Sequence, residues 1–65
     1  MRRALLEERA LEALRVRCAD VGARLIVDVD RSGDATLVVG AGRFDDWDDA
    51  VAGVADLEAA AEVRA

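Results

Sequence analysis

Carboxylates spaced two residues apart offer the most visible chemistry in this sequence. The run Asp28-Val29-Asp30-Arg31-Ser32-Gly33-Asp34 sets oxygen donors at Asp28, Asp30, Ser32 and Asp34, with a glycine where the chain would turn sharply. Donors at alternate positions can fold around a hard cation such as calcium. The same residue types also favour plain turns, because Asp and Ser side chains accept hydrogen bonds from backbone two residues on. A second run, Asp45-Asp46-Trp47-Asp48-Asp49, is the densest charge in the chain. Its carboxylates could dock on a basic partner, or imitate nucleic-acid phosphates and so occupy another protein's binding groove. Helix starts select these residues as well, through N-capping and the helix dipole.

Read as far as Ala41, the first run resembles two calcium-binding patterns. Its opening matches D-x-D-x-[DNS]-G, the start of an EF-hand loop. The fourteen residues Asp28 to Ala41 are also similar to the calcium repeat of integrin-type β-propellers. Val39 stands where the EF-hand has its bidentate glutamate, and Thr36 where the propeller repeat usually has aspartate. A chain of 65 residues cannot build a propeller. Calcium binding through Asp28, Asp30, Ser32 and Asp34 is therefore carried as the third functional reading.

Catalytic chemistry finds little to work with. The chain has no His, Lys or Tyr, so general acids and bases reduce to carboxylates. Cys18 is the only cysteine. It permits no internal disulfide and, without histidine, no zinc pattern. Its place on an apolar stripe predicts a small buried hydrophobe rather than a nucleophile. Gly40-Ala41-Gly42 lacks the third glycine and the βαβ context of a dinucleotide fingerprint, and reads as a bend between strand and helix. The expectation is a protein without catalytic residues or cofactor.

Four elements must position these residues. Leu6, Ala10, Leu11, Leu14, Cys18 and Val21 recur at helical spacing, which predicts a helix from about Arg3 to Val21 closed by Gly22. Leu25, Val27 and Val29 alternate with polar residues, as do those of Ala35 to Ala41, which predicts two strands. A three-residue loop with Gly33 in the left-handed region would pair Val29 with Ala35, Val27 with Leu37 and Leu25 with Val39. Ile26 and Val38 then meet on the opposite face. A last helix from about Asp46 to Val63, capped by Asp45, carries a stripe of Trp47, Val51, Val54, Leu57 and Ala61. Ala50, Gly53 and Ala60 flank that stripe and permit close approach. The expected fold is α+β in the order α-β-β-α: one domain over residues 1–65, a two-stranded antiparallel hairpin with both helices on one face.

Size and charge then bear on partners. A domain of 65 residues buries only about 60% of its unfolded surface, and a two-stranded hairpin is marginal by itself. With disulfide and zinc excluded, self-association is the remaining common support. A homodimer is expected, joined at hairpin edges near Ile26 and Val38 or along the first helix, where Leu5 and Val16 lie off the stripe. The net charge of −5, from 14 acidic residues and 9 arginines, argues against direct nucleic-acid binding. Met1-Arg2-Arg3 is followed by Glu7, Glu8, Arg9 and Glu12, which break any signal-peptide core, and no apolar stretch approaches a membrane span. A cytoplasmic location is expected. Compact chains of this kind are common among phage proteins and accessory subunits. The leading expectation is a non-enzymatic interaction or assembly protein with a protein partner. An acidic phosphate mimic acting through Asp45, Asp46, Asp48 and Asp49 is the alternative.

Overall fold

A computed structural model describes residues 7–64, so Leu5 and Leu6 lie outside the described residues. The element order is α1 (Glu8–Asp20), β1 (Leu25–Val29), β2 (Ala35–Val39), β3 (Gly42–Phe44) and α2 (Trp47–Arg64). The strands form one antiparallel sheet in the order β1-β2-β3. The class is α+β, with two helices on one face of the sheet.

α1 ends as its glycine predicts. Gly22 has φ 71°. Its amide donates to the Ala19 carbonyl at 3.0 Å, and the Ala23 amide donates to the Cys18 carbonyl at 2.8 Å. This pair of bonds is the Schellman closure, which satisfies carbonyls that the helix end leaves free. Ala23 then packs against the core that contains Cys18.

The β1–β2 register is the expected one: Leu25 faces Val39, Val27 faces Leu37 and Val29 faces Ala35. The turn is the three-residue loop Arg31-Ser32-Gly33. The Asp30 amide donates to the Asp34 carbonyl at 2.9 Å, the Gly33 amide donates to the Asp30 carbonyl at 3.1 Å, and Gly33 has φ 90°.

The hairpin is not the whole sheet. Gly40-Ala41 is a two-residue turn rather than a bend into the helix, and it returns the chain as β3, pairing Val39 with Gly42, Val38 with Arg43 and Leu37 with Phe44. Gly40 has φ 58° while Ala41 keeps a negative φ, the sign pattern of a type II′ turn, which matches the strand twist. β2 therefore has a neighbour on each side, and the open edges belong to β1 and β3.

β3 also delays the last helix by one residue. α2 begins at Trp47, and the Ala50 amide donates to the Asp46 carbonyl at 3.1 Å, so Asp46 rather than Asp45 holds the N-cap position. Asp45 stays beside the sheet, accepting from the Thr36 hydroxyl at 3.4 Å.

The core is small. Leu14 and Cys18 from α1 meet Leu25, Leu37 and Val39 from the sheet and Ala50 and Val54 from α2, with Phe44, Trp47 and Val51 packed partly around them. Two residues of the expected inner faces are exposed, Val29 and Leu57, each at 37%. For Leu57 the cause is length. The 18 residues of α2 run about 27 Å, whereas a five-residue strand spans about 17 Å. The distal turns of α2 thus extend past the sheet they would cover.

An ion pair also joins the two helices. The Arg17 guanidinium on α1 donates to both carboxylate oxygens of Glu58 on α2, from Nε at 3.1 Å and from Nη2. That hydrogen bonding, opposed by partial desolvation and aided by the arginine's charge, holds the Glu58 carboxyl below the usual glutamate range. A carboxyl whose folded value is depressed stabilises the fold above its unfolded value, and the contribution is lost as pH falls through the folded one. Acidification from about pH 4.3 downward is expected to lower the wild-type melting temperature more steeply than that of Glu58→Gln. Thermal melts of the two chains between neutral and acid pH measure the difference, and parallel curves would exclude it.

Candidate interaction surfaces

The Asp28–Asp34 loop is held by its own side chains. Asp30 Oδ1 accepts from the Ser32 amide at 2.9 Å, the Ser32 hydroxyl at 2.6 Å and the Asp34 amide at 3.1 Å. The Ser32 hydroxyl bond, opposed by partial desolvation and aided by the backbone amides, holds the Asp30 carboxyl below the usual carboxylate range. Asp30 Oδ1, one of the oxygens read from the sequence as a cation donor, thus helps to close the turn. Among the described residues no three acidic or cysteine side chains converge to hold a metal ion.

Cys18 is 1% exposed, and burial raises its thiol above the ordinary value. The nearby Arg17 works in the opposite direction and Glu58 in the same one. A buried thiol kept protonated is a packing group. Among the described residues no polar or charged side chain is buried.

Among the described residues no helix covers the outer face of the sheet. Alternation along the strands puts Ile26 and Asp28, Thr36 and Val38, and Arg43 on this side. Ile26 is 47% exposed directly opposite half-buried Val38. Arg43 Nη2 reaches across β2 to donate to Asp28 Oδ2 at 3.1 Å, tying the two edge strands together. Val16, the other described apolar candidate, is 54% exposed on α1; Leu5 lies outside the described residues.

Topology also joins what the sequence keeps apart. Phe44 pairs with Leu37 and Asp28 with Thr36, so the chain leaves β3 at the end of the sheet where the β1–β2 turn lies. Asp28, Asp30 and Asp34 therefore share one end of the molecule with Asp45, Asp46, Asp48 and Asp49, all of them exposed. Arg31 in the turn and Arg43 on β3 stand among these seven carboxylates.

On the helix side, a shallow groove of about 470 Å³ runs between the α1 terminus, the Gly40 turn and α2, lined by Val21, Ala23, Val39, Phe44, Gly53 and Leu57. Asp56 and several backbone atoms complete its rim. Among the described residues no helix is long and apolar enough to cross a membrane. Set against family models, curated proteins and solved structures, the chain matches none.

Proposed function

We propose that this chain is a small non-enzymatic interaction or assembly protein that works as a homodimer. The observation that carries this reading is the uncovered side of the sheet. Ile26 stands 47% exposed beside Val38 on the edge strand β1, on a face that no helix covers among the described residues. The core meanwhile draws on only five Leu and Val side chains with Cys18 and two alanines among the described residues. Small cores gain most from an added interface, and a two-fold dimer supplies one with a single self-complementary surface. Sedimentation velocity over a concentration series is expected to show a monomer–dimer equilibrium. A single monomer boundary persisting at high micromolar concentration would overturn the proposal.

A second reading is favoured by one further observation, the seven exposed carboxylates gathered at one end of the sheet. A surface of seven carboxylates suits a basic protein partner, including one whose groove normally takes nucleic-acid phosphates. Changing Asp45, Asp46, Asp48 and Asp49 to Asn separates the readings. Capture of a basic partner would lose its salt dependence, while dimerisation, which uses other residues, would persist.

A further inference from the structure

We propose that the homodimer forms by antiparallel pairing of β1 with the β1 of a second copy, about a two-fold axis passing beside Ile26. This rests on the self-association proposed above and names its surface.

Three features bear on this register: the first permits pairing about any residue of β1, and the other two place the axis at Ile26. The first is hydrogen-bond phase. The Gly40 amide donates to the Arg24 carbonyl at 3.0 Å and the Asp30 amide to the Asp34 carbonyl at 2.9 Å, so the even-numbered residues of β1 turn their main-chain groups toward β2. Leu25, Val27 and Val29 accordingly turn theirs toward the open edge. A two-fold axis at Ile26 sets Leu25 opposite the partner's Val27 and Val27 opposite the partner's Leu25. These are the residues whose groups are free to bond on both strands.

The second feature is charge. In this register Arg24 stands opposite the partner's Asp28, and the same pair recurs on the other side of the axis. Arg24 is exposed, and Asp28 is 57% exposed with only its Oδ2 engaged. Moving the axis to Asp28 would place two carboxylates face to face. Pairing through β3 would centre on Arg43 against itself, over a strand of only three residues beginning at glycine. Like charges directly opposite destabilise a strand pair. Antiparallel pairing also sends the two acidic ends to opposite limits of the joined sheet.

The third feature is apolar cover. Ile26 meets the partner's Ile26 in a non-hydrogen-bonded pair, where side chains approach most closely. The two copies would form one six-stranded sheet in which β1 is no longer an edge.

Charge exchange tests the register. Arg24→Asp and Asp28→Arg are each expected to weaken dimerisation roughly tenfold or more, since each converts both symmetric pairs to like charges. Mixed together, the two variants are expected to form a heterodimer tighter than either alone, because each chain then meets only opposite charge. A chain carrying both substitutions is expected to regain wild-type affinity. Ile26→Cys is expected to cross-link spontaneously under oxidation, since the paired Cα atoms would lie about 4.5 Å apart. Val38→Cys, on the central strand, is expected not to. If a charge variant proves unfolded by circular dichroism, the cross-link decides alone. A dimer indifferent to both exchanges and lacking the Ile26→Cys cross-link would overturn the β1 surface and leave self-association standing. A monomer in the wild-type series would overturn both.

Discussion

Leu37→Ala is expected to remove a large share of the folding stability of the chain and to lower its urea midpoint sharply. Leu37 is 0% exposed, lies on the central strand between Val27 and Phe44, and belongs to the cluster joining both helices to the sheet. Truncating such a leucine costs about 2–5 kcal/mol, the larger values arising where the surroundings cannot collapse into the cavity. Domains have about 0.05–0.15 kcal/mol of stability per residue, which for this length is roughly 3–10 kcal/mol in all. One substitution therefore removes a large share of the total. Ile26→Ala makes the useful contrast. On a 47% exposed site it is expected to cost the isolated protomer under about 1 kcal/mol. In a dimer it would instead lower the melting temperature in a concentration-dependent way, because dissociation and unfolding are linked. Urea titrations followed by far-ultraviolet circular dichroism measure both. A Leu37→Ala midpoint close to wild type would mean that the core does not centre on β2.

Much of this architecture was legible because several local signals agreed. The β1–β2 register follows from two period-2 patterns and one turn, and a slip by a single residue would have turned every side chain over. Gly22 marked the end of α1 because only a residue at ease with positive φ closes a Schellman motif. Leu14, Cys18 and Val54 were readable as core from helical spacing alone. β3 was not legible. Its three residues, Gly42-Arg43-Phe44, are too few to show alternation, and one is a glycine. Gly40-Ala41 fits a two-residue hairpin loop led by glycine, and that signal was present, but it becomes informative only when a strand is sought beyond it. Leu57 and Val29 show a different limit. Periodicity predicts which face of an element is apolar, whereas burial depends on whether a neighbour reaches that far along it. The interaction surfaces divide in the same way. Exposure of Ile26 and Val16 followed from patterning, but the meeting of the two aspartate runs at one end could not be read without β3, which carries the second run back alongside the first.

Gly53→Ala provides the sharpest test of that unexpected strand, because the sign of its effect is expected to reverse with a second substitution. In an isolated helix, replacing an interior glycine by alanine gains about 1 kcal/mol. Here the position is taken. A Cβ built on Gly53 would stand 2.5 Å from Phe44 Cζ and 3.1 Å from both Cε atoms, well inside the separation of about 3.5–4.0 Å at which carbon atoms attract. The same ring also crowds Gly42, where a Cβ would meet Phe44 Cε2 at 3.0 Å and Cζ at 3.1 Å. Phe44 thus lies between two glycines, one on its own strand and one on α2, and has little room on either side. Overpacking of this kind costs about 1–3 kcal/mol, so Gly53→Ala is expected to destabilise the protein despite its better helix propensity. With Phe44→Ala already in place the obstruction is gone, and adding Gly53→Ala is expected to stabilise by about 1 kcal/mol. Denaturant titrations of the four chains in this double-mutant cycle yield the coupling directly. A Gly53→Ala change that stabilises equally in both backgrounds would show that the Phe44 ring does not rest on α2, and that β3 is held by its backbone pairing alone.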